Sequence, residues 1–152
     1  MMMRALTLAL LLVPSLASAQ VAVAPYVDKT EVTSGITALT MASARDTSCM
    51  QVRAHRFLVL YAALTRGATT SAIETKCAAY LSSTCADTLP YEILACTGAS
   101  CDQFKPSVAI AASRGFPHRF DVAGFDFVKC TFTPTAGAAG DTLTVRAFKS
   151  RE

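Results

Sequence analysis

Six cysteines are the most informative reactive side chains of this 152-residue sequence. An even number of cysteines in an exported chain favours disulfide bonds, because the compartments outside the cytoplasm are oxidising. A zinc, haem or thiol-redox site would need closely spaced Cys-x-x-Cys pairs or matching histidines, and neither pattern occurs. The cysteines therefore predict three structural disulfides, with no metal site and no cofactor.

His55 and His118 are the two histidines of the chain. Such a pair could cleave a phosphodiester, one ring accepting a proton while the other donates one. A nearby lysine or arginine would hold the developing charge, and the candidates are Arg53, Arg56, Lys105, Arg114 and Arg119. The alternative is a solvated His55 between two arginines and a His118 in the turn after Phe116-Pro117. We favour this alternative, since no other catalytic motif is present in the sequence. A hydrolase that uses the two histidines stays as a competing hypothesis.

The first 19 residues have the pattern of a secretory signal peptide. Arg4 precedes an apolar run from Ala5 to Val13, and small residues close the segment at 17–19. We predict cleavage there, a single mature domain over 20–152, and a secreted or periplasmic location. Loss of Arg4 lowers the net charge from +3 to +2. Without clustered basic residues or an apolar run of about 20 residues, we expect neither nucleic-acid binding nor a membrane span.

The first half of the mature chain suggests a helical hairpin. Apolar residues recur at three- and four-residue intervals over 48–66, which is typical of an amphipathic helix, although five consecutive apolar residues from Phe57 to Tyr61 also suit a buried strand. Ser71 and Glu74 match a capping box, which predicts a second helix with Cys77 on its apolar face. The short linker between them would make the two helices antiparallel.

The second half changes to the alternation expected of strands. Residues 107–113, 119–133 and 141–149 alternate apolar with polar or small side chains and are rich in aromatic and β-branched residues. Pro134 and the Gly-Ala tract after it predict a C-terminal hairpin. The predicted fold class is α+β: an N-terminal helical hairpin packed on a C-terminal antiparallel sheet of three to five strands, stabilised by disulfides.

This arrangement suggests one disulfide pairing among many. Cys49 and Cys85 would close the open end of the helical hairpin, and Cys77 would fasten the second helix to Cys130 on the sheet. Cys96 and Cys101, five residues apart, would then form a local loop disulfide.

One short segment resembles a known family. Leu89-Pro90 followed by Cys96-x4-Cys101 is similar to part of the elicitins, small secreted sterol-binding proteins. The likeness covers about a dozen residues, the other cysteine spacings depart from that family, and the C-terminal third has strand patterns where elicitins are helical. The resemblance implies a carrier of a small apolar ligand or lipid, which we keep as a second alternative without assigning the family.

The leading hypothesis is a non-enzymatic binding protein. A disulfide-stabilised scaffold without a convergent catalytic set suits a protein that binds another protein or macromolecule of the envelope or medium. Homo-oligomerisation is left open. Two stretches are candidate interaction surfaces, one basic and one aromatic: Arg53, His55 and Arg56, and the phenylalanines Phe116, Phe120, Phe125 and Phe127.

Overall fold

The computed structural model describes residues 29–67, 69–97 and 99–151. The predicted signal peptide, residues 1–19, lies outside the described residues. The described chain is all-β and contains no helix, so none is present that could cross a membrane. Thirteen strands follow one another: β1 Lys29–Val32, β2 Leu39–Thr40, β3 Arg45–Asp46, β4 Met50–Gln51, β5 Phe57–Thr65, β6 Ala72–Tyr80, β7 Tyr91–Ile93, β8 Ala95–Thr97, β9 Ser100–Gln103, β10 Ser107–Ala109, β11 Arg114–Asp121, β12 Phe127–Thr135 and β13 Thr142–Ser150.

The strands form two antiparallel sheets. Sheet A has the order β1-β13-β5-β11-β8-β9, and β2 also pairs with β13. Sheet B has the order β10-β6-β12-β3, with β4 also on β12 and β7 also on β6. Consecutive long strands therefore often lie in different sheets, as in β-sandwiches whose strands cross from one layer to the other.

Alternate residues of the long strands form the core. On β5 the even-numbered residues from Leu58 to Leu64 are buried, whereas Tyr61 and Ala63 are exposed. The inward side chains of the facing strands complete one continuous apolar cluster. Its largest fully buried members are Phe120, Phe132, Ile36, Met41, Met50, Leu58, Leu60, Leu64, Ile73, Leu143, Val52 and Val122.

The predicted α+β fold is wrong, because the helical hairpin does not exist. The first predicted helix covers strand β4, the turn 52–56 and strand β5. Apolar residues on both faces of β5 supplied much of the apparent helical spacing. The second predicted helix is strand β6, where Ile73, Thr75 and Cys77 alternate inward with period two. The capping-box match of Ser71 and Glu74 is coincidental, since Ser71 precedes a strand.

The C-terminal half is confirmed as strands, but the turn 122–126 divides the predicted stretch 119–133 between β11 and β12. The predicted C-terminal hairpin is absent from the described residues. Pro134 lies within β12 opposite Ile73 and does not end the strand. Strand β12 belongs to sheet B and β13 to sheet A, so residues 136–141 cross between the layers. The crossing is fixed by the buried carboxylate of Asp141. It accepts hydrogen bonds from the N–H of Gly67 at 2.6 Å, from the N–H of Thr70 at 2.8 Å, and from the Thr70 hydroxyl.

The structure joins the six cysteines in the three expected pairs, although two of the reasons differ. Cys77 and Cys130 lie directly opposite each other on neighbouring strands of sheet B, not between a helix and a sheet. Cys49, just before β4, is bonded to Cys85 in the loop after β6. Cys96 and Cys101 link the neighbouring strands β8 and β9.

Candidate functional site

Two similar turns meet at one end of the sandwich. Residues 52–56 carry the chain from sheet B to sheet A, and residues 122–126 carry it back. In the first turn the N–H of His55 donates to the carbonyl of Val52, and in the second the N–H of Phe125 donates to that of Val122. Each turn has one residue with positive φ, Ala54 at 62° and Gly124 at 84°. Glycine adopts this conformation without strain, which explains its presence in the second turn.

The two turns are hydrogen-bonded to each other. The N–H of Val52 donates to the carbonyl of Asp126 at 2.9 Å, and the N–H of Val122 donates to that of Arg56 at 2.7 Å. The loop 81–90 lies at the same end, because Tyr80 at the end of β6 pairs with Phe127 at the start of β12. We call this region, formed by residues 52–56, 81–90, 122–126 and Arg151, the crossover end.

Basic side chains surround a depression at the crossover end. Arg53 pairs with Asp126 at 3.4 Å, and Arg56 approaches Asp121 at 3.9 Å. Both pairs are largely exposed, so they orient the side chains more than they stabilise the fold. The depression has a volume of about 490 Å³ and is lined by Ala54, His55, Arg56, Ala123, Gly124, Phe125, Asp126 and Arg151.

The loop 81–90 presents large apolar side chains to solvent beside this depression. Leu81 is 77% exposed and Leu89 is 84% exposed. Each leucine lies two residues beyond the β6–β7 pair Ala79–Tyr91, Leu81 after β6 and Leu89 before β7. Tyr91 is itself 58% exposed and its ring stacks on Phe125, with the centroids 6.2 Å apart. Apolar side chains thus extend from Phe125 in the second turn, through Tyr91, to the leucines of the loop.

The same loop is held by a disulfide and by hydrogen bonds. Cys85 is bonded to Cys49, and its N–H donates to the carbonyl of Ser82 at 3.1 Å. The carboxylate of Asp87 accepts hydrogen bonds from the backbone N–H groups of Leu81 and Ser82. The hydrogen bonds from Ser82 and Leu81 hold the pKa of Asp87 below its usual value. The backbone of the loop is therefore held at Leu81, Ser82 and Cys85.

The predicted surface residues separate into two groups. Arg53, His55, Arg56 and Phe125 come together at the crossover end, and Phe127 lies half-buried just after it. Phe116 and Phe120 are buried in the core and offer no surface. Sequence reasoning missed Leu81, Leu89 and Tyr91, because their exposure depends on how the loop projects beyond β6 and β7.

The structure does not bring the two histidines to one cleft. His55 is in the first turn, where its Nδ1 lies 2.8 Å from the carbonyl of Arg53. His118 is only 9% exposed on β11, where its ring contacts Phe116 and Phe120. Its Nε2 has no hydrogen-bond partner among the described residues, and burial lowers its pKa to about 4. His118 is therefore a neutral core side chain at neutral pH. Among the described residues, no group of three or more His, Cys, Asp or Glu could hold a metal ion.

Comparison with known proteins adds little. No protein-family profile matches the chain, and no curated protein matches its sequence. One similar solved structure is that of the SPBc2 prophage-derived protein YomS, at 19% identity over 80% of this chain and 92% of that one, with a TM-score of 0.46. A likeness of this degree carries no argument about function.

Proposed function

We propose that this chain is an exported, disulfide-stabilised protein that performs no catalysis and binds a protein partner in the envelope or medium through its crossover end. The observation that supports the proposal most directly is the pair of leucines, Leu81 and Leu89, held almost fully exposed on a loop that a disulfide anchors. Exposed leucines in a fixed conformation can enter a partner's pockets without the entropy loss of ordering a mobile loop.

The arrangement has the parts of a protein-binding surface. Large apolar side chains form a centre, and the two arginines of the first turn, Arg53 and Arg56, lie at its edge with charged groups in solvent. Burying one leucine side chain contributes about 1.5–3 kcal/mol. Two leucines and a tyrosine therefore suit the centre of such a surface, where a few buried side chains carry most of the binding energy.

Three disulfides are compatible with an oxidising, extracellular or periplasmic location. The two alternatives have less support. A hydrolase would need His55 and His118 at one cleft, but His55 lies in the first turn of the crossover end and the His118 ring is buried in the core. A lipid carrier would need an apolar chamber between the layers, and a continuous cluster of buried side chains occupies that position.

The test is cross-linking capture of the partner from native extract by the tagged mature protein. We expect the double variant Leu81→Ser/Leu89→Ser to weaken capture by about 2 kcal/mol or more, roughly 30-fold in Kd. The matched control is Leu39→Ser, because Leu39 is an exposed leucine at the opposite end, next to Leu143 on β13. Equal capture by the wild type and the double variant would refute the proposal.

A further inference from the structure

The outer face of sheet A, on the side away from the core, is the second unusual surface of the molecule. An antiparallel sheet exposed on one face normally presents polar side chains there. On β5 the outward residues are instead Val59, Tyr61 and Ala63, and on β11 they include Gly115 and Pro117. We call this surface the sheet A outer face.

Tyr61 and Pro117 divide the sheet A outer face into two depressions. The first, of about 310 Å³, lies over Ala63 and Gly115, where no side chain larger than a methyl group fills the space. The second, of about 320 Å³, has Lys29 and Arg119 in its wall. Tyr61 and Pro117 line both depressions, so one ligand segment could occupy the two together.

The second depression has Lys29 and Arg119 in its lining and no carboxylate among its described lining residues. Arg146 forms a two-pronged contact with Glu31, the Nε–Oε1 and Nη2–Oε2 distances being 3.0 and 3.1 Å. That pair is neutral as a unit. Arg119 stacks on Phe57, and Lys29, whose Nζ lies 5.9 Å from the centroid of the Tyr61 ring, supplies positive charge beside the second depression.

The chemistry of the two depressions limits what could bind there. The first is lined mainly by carbon and offers a sugar ring few hydrogen-bond partners of its own. An apolar side chain, which needs none, fits this depression better. The second places cationic groups a short distance away, which favours carboxylates and repels another copy of the same basic face.

We propose that the sheet A outer face is a second binding surface, which takes an acidic protein segment carrying an apolar side chain. The apolar side chain lies over Ala63 and Gly115 beside Tyr61. Its acidic neighbours lie near Lys29 and Arg119. The surface is distinct from the crossover end and does not depend on Leu81 or Leu89.

The test uses the mature, oxidised protein and a short synthetic peptide with one leucine flanked by glutamates, followed by NMR of the labelled protein. We expect chemical shift changes centred on Tyr61, Ala63 and Gly115. The peptide with lysines in place of the glutamates should bind at least tenfold more weakly, and so should the peptide with alanine in place of the leucine.

Two charge-reversal variants locate the interaction. Lys29→Glu should weaken binding of the acidic peptide at least fivefold, whereas Lys105→Glu, an equal charge change in an exposed loop away from this face, should leave it within twofold of the wild type. The double variant at Leu81 and Leu89 should bind the peptide normally, so this test is separate from that of the crossover end.

Several results would overturn the proposal. These are equal binding of the glutamate and lysine peptides, no binding of either, an equal effect of the two charge reversals, and shift changes confined to other surfaces. Binding that needs deletion of residues 20–28 would assign the face to the chain's own N-terminal segment. A dimer dispersed by Tyr61→Ala would assign it to a second copy of the chain.

Discussion

His118 should make the protein lose stability in mildly acidic solution. The ring is buried between Phe116 and Phe120, and in the described part of the chain its Nε2 has no hydrogen-bond partner to stabilise a proton. Burial accordingly lowers its pKa from 6.5 to about 4. In the unfolded chain the ring is in water and titrates near 6.5. Between these two values the unfolded state binds a proton that the folded state does not bind.

The sign and size of the effect follow from that difference. Above pH 6.5 both states hold the neutral ring, and His118 imposes no penalty on folding. As the pH falls from 6.5 towards 4 the unfolded state is stabilised by protonation, and below about 4 the penalty levels off because the folded state is protonated as well. A pKa difference of this size corresponds to about 3 kcal/mol of unfolding free energy.

The assay is urea denaturation of the oxidised protein at several pH values between 7 and 4, followed by circular dichroism. His118→Phe removes the titrating group and keeps an aromatic ring between Phe116 and Phe120. His118→Leu also removes the titrating group and replaces the ring by an aliphatic side chain. Both variants should lose about 3 kcal/mol less than the wild type over this range. The control is His55→Gln, which removes the other histidine, in the turn at the crossover end and outside the core. Its stability should follow that of the wild type over the same pH range.

The comparison between variants separates His118 from the carboxylates. Glu31, for example, has a lowered pKa because of its hydrogen bond from Arg146, so its contribution is lost only as the pH falls below its usual 4.5. That loss is common to the wild type and the His118 variants. If all of them show parallel stability curves from pH 7 to 4, the reasoning about the buried ring is wrong.

Two further predictions concern stability. Replacing Cys77 and Cys130 together by alanine should lower the unfolding free energy by about 4 kcal/mol, and replacing Cys96 and Cys101 should lower it by about 2 kcal/mol. The first loss is larger because the Cys77–Cys130 disulfide closes the longer loop. Urea denaturation measures both losses, and the reverse order would contradict the loop argument. Asp141→Ala leaves three hydrogen-bond donors without their acceptor and should cost about 2–4 kcal/mol, measured in the same way; a loss below about 0.5 kcal/mol would show that water replaces the carboxylate.

The strands of the second half could be predicted, and the helices of the first half were wrong, for the same physical reason. Periodicity reports a structure only when one face differs from the other. Strand β13 alternates buried Leu143 and Val145 with more exposed residues, so its pattern is clear. Strand β5 has apolar side chains on both faces, and such a run satisfies the helical and the strand pattern together.

The pairing of Cys49 with Cys85 was predicted from an antiparallel hairpin, and part of that geometry is real. Strands β5 and β6 are joined by a short connection and run in opposite directions, but they lie in facing sheets. The residues that flank them therefore return to one end of the domain, as those of a helical hairpin would. Chain direction was predictable from the loop length, whereas the type of element was not.

The candidate site was predictable only where it is local in sequence. Arg53, His55 and Arg56 are neighbours along the chain, and any fold that exposes one of them tends to expose the others. Leu81 and Leu89 became a surface feature through the way the loop projects beyond β6 and β7, which depends on pairing over long distances. The sheet A outer face depends on four strands from distant parts of the sequence and had no local pattern to reveal it.

The position of the last strand has a consequence for the order of events during synthesis. Strand β13 lies between β1 and β5 in sheet A, so the earliest described strand of the chain has no partner until the final one has been made. Neither sheet A nor the core beneath it can be completed while residues 142–150 are still within the ribosome. Sheet A of a nascent chain therefore stays incomplete until strand β13 has emerged, however early its other strands are made.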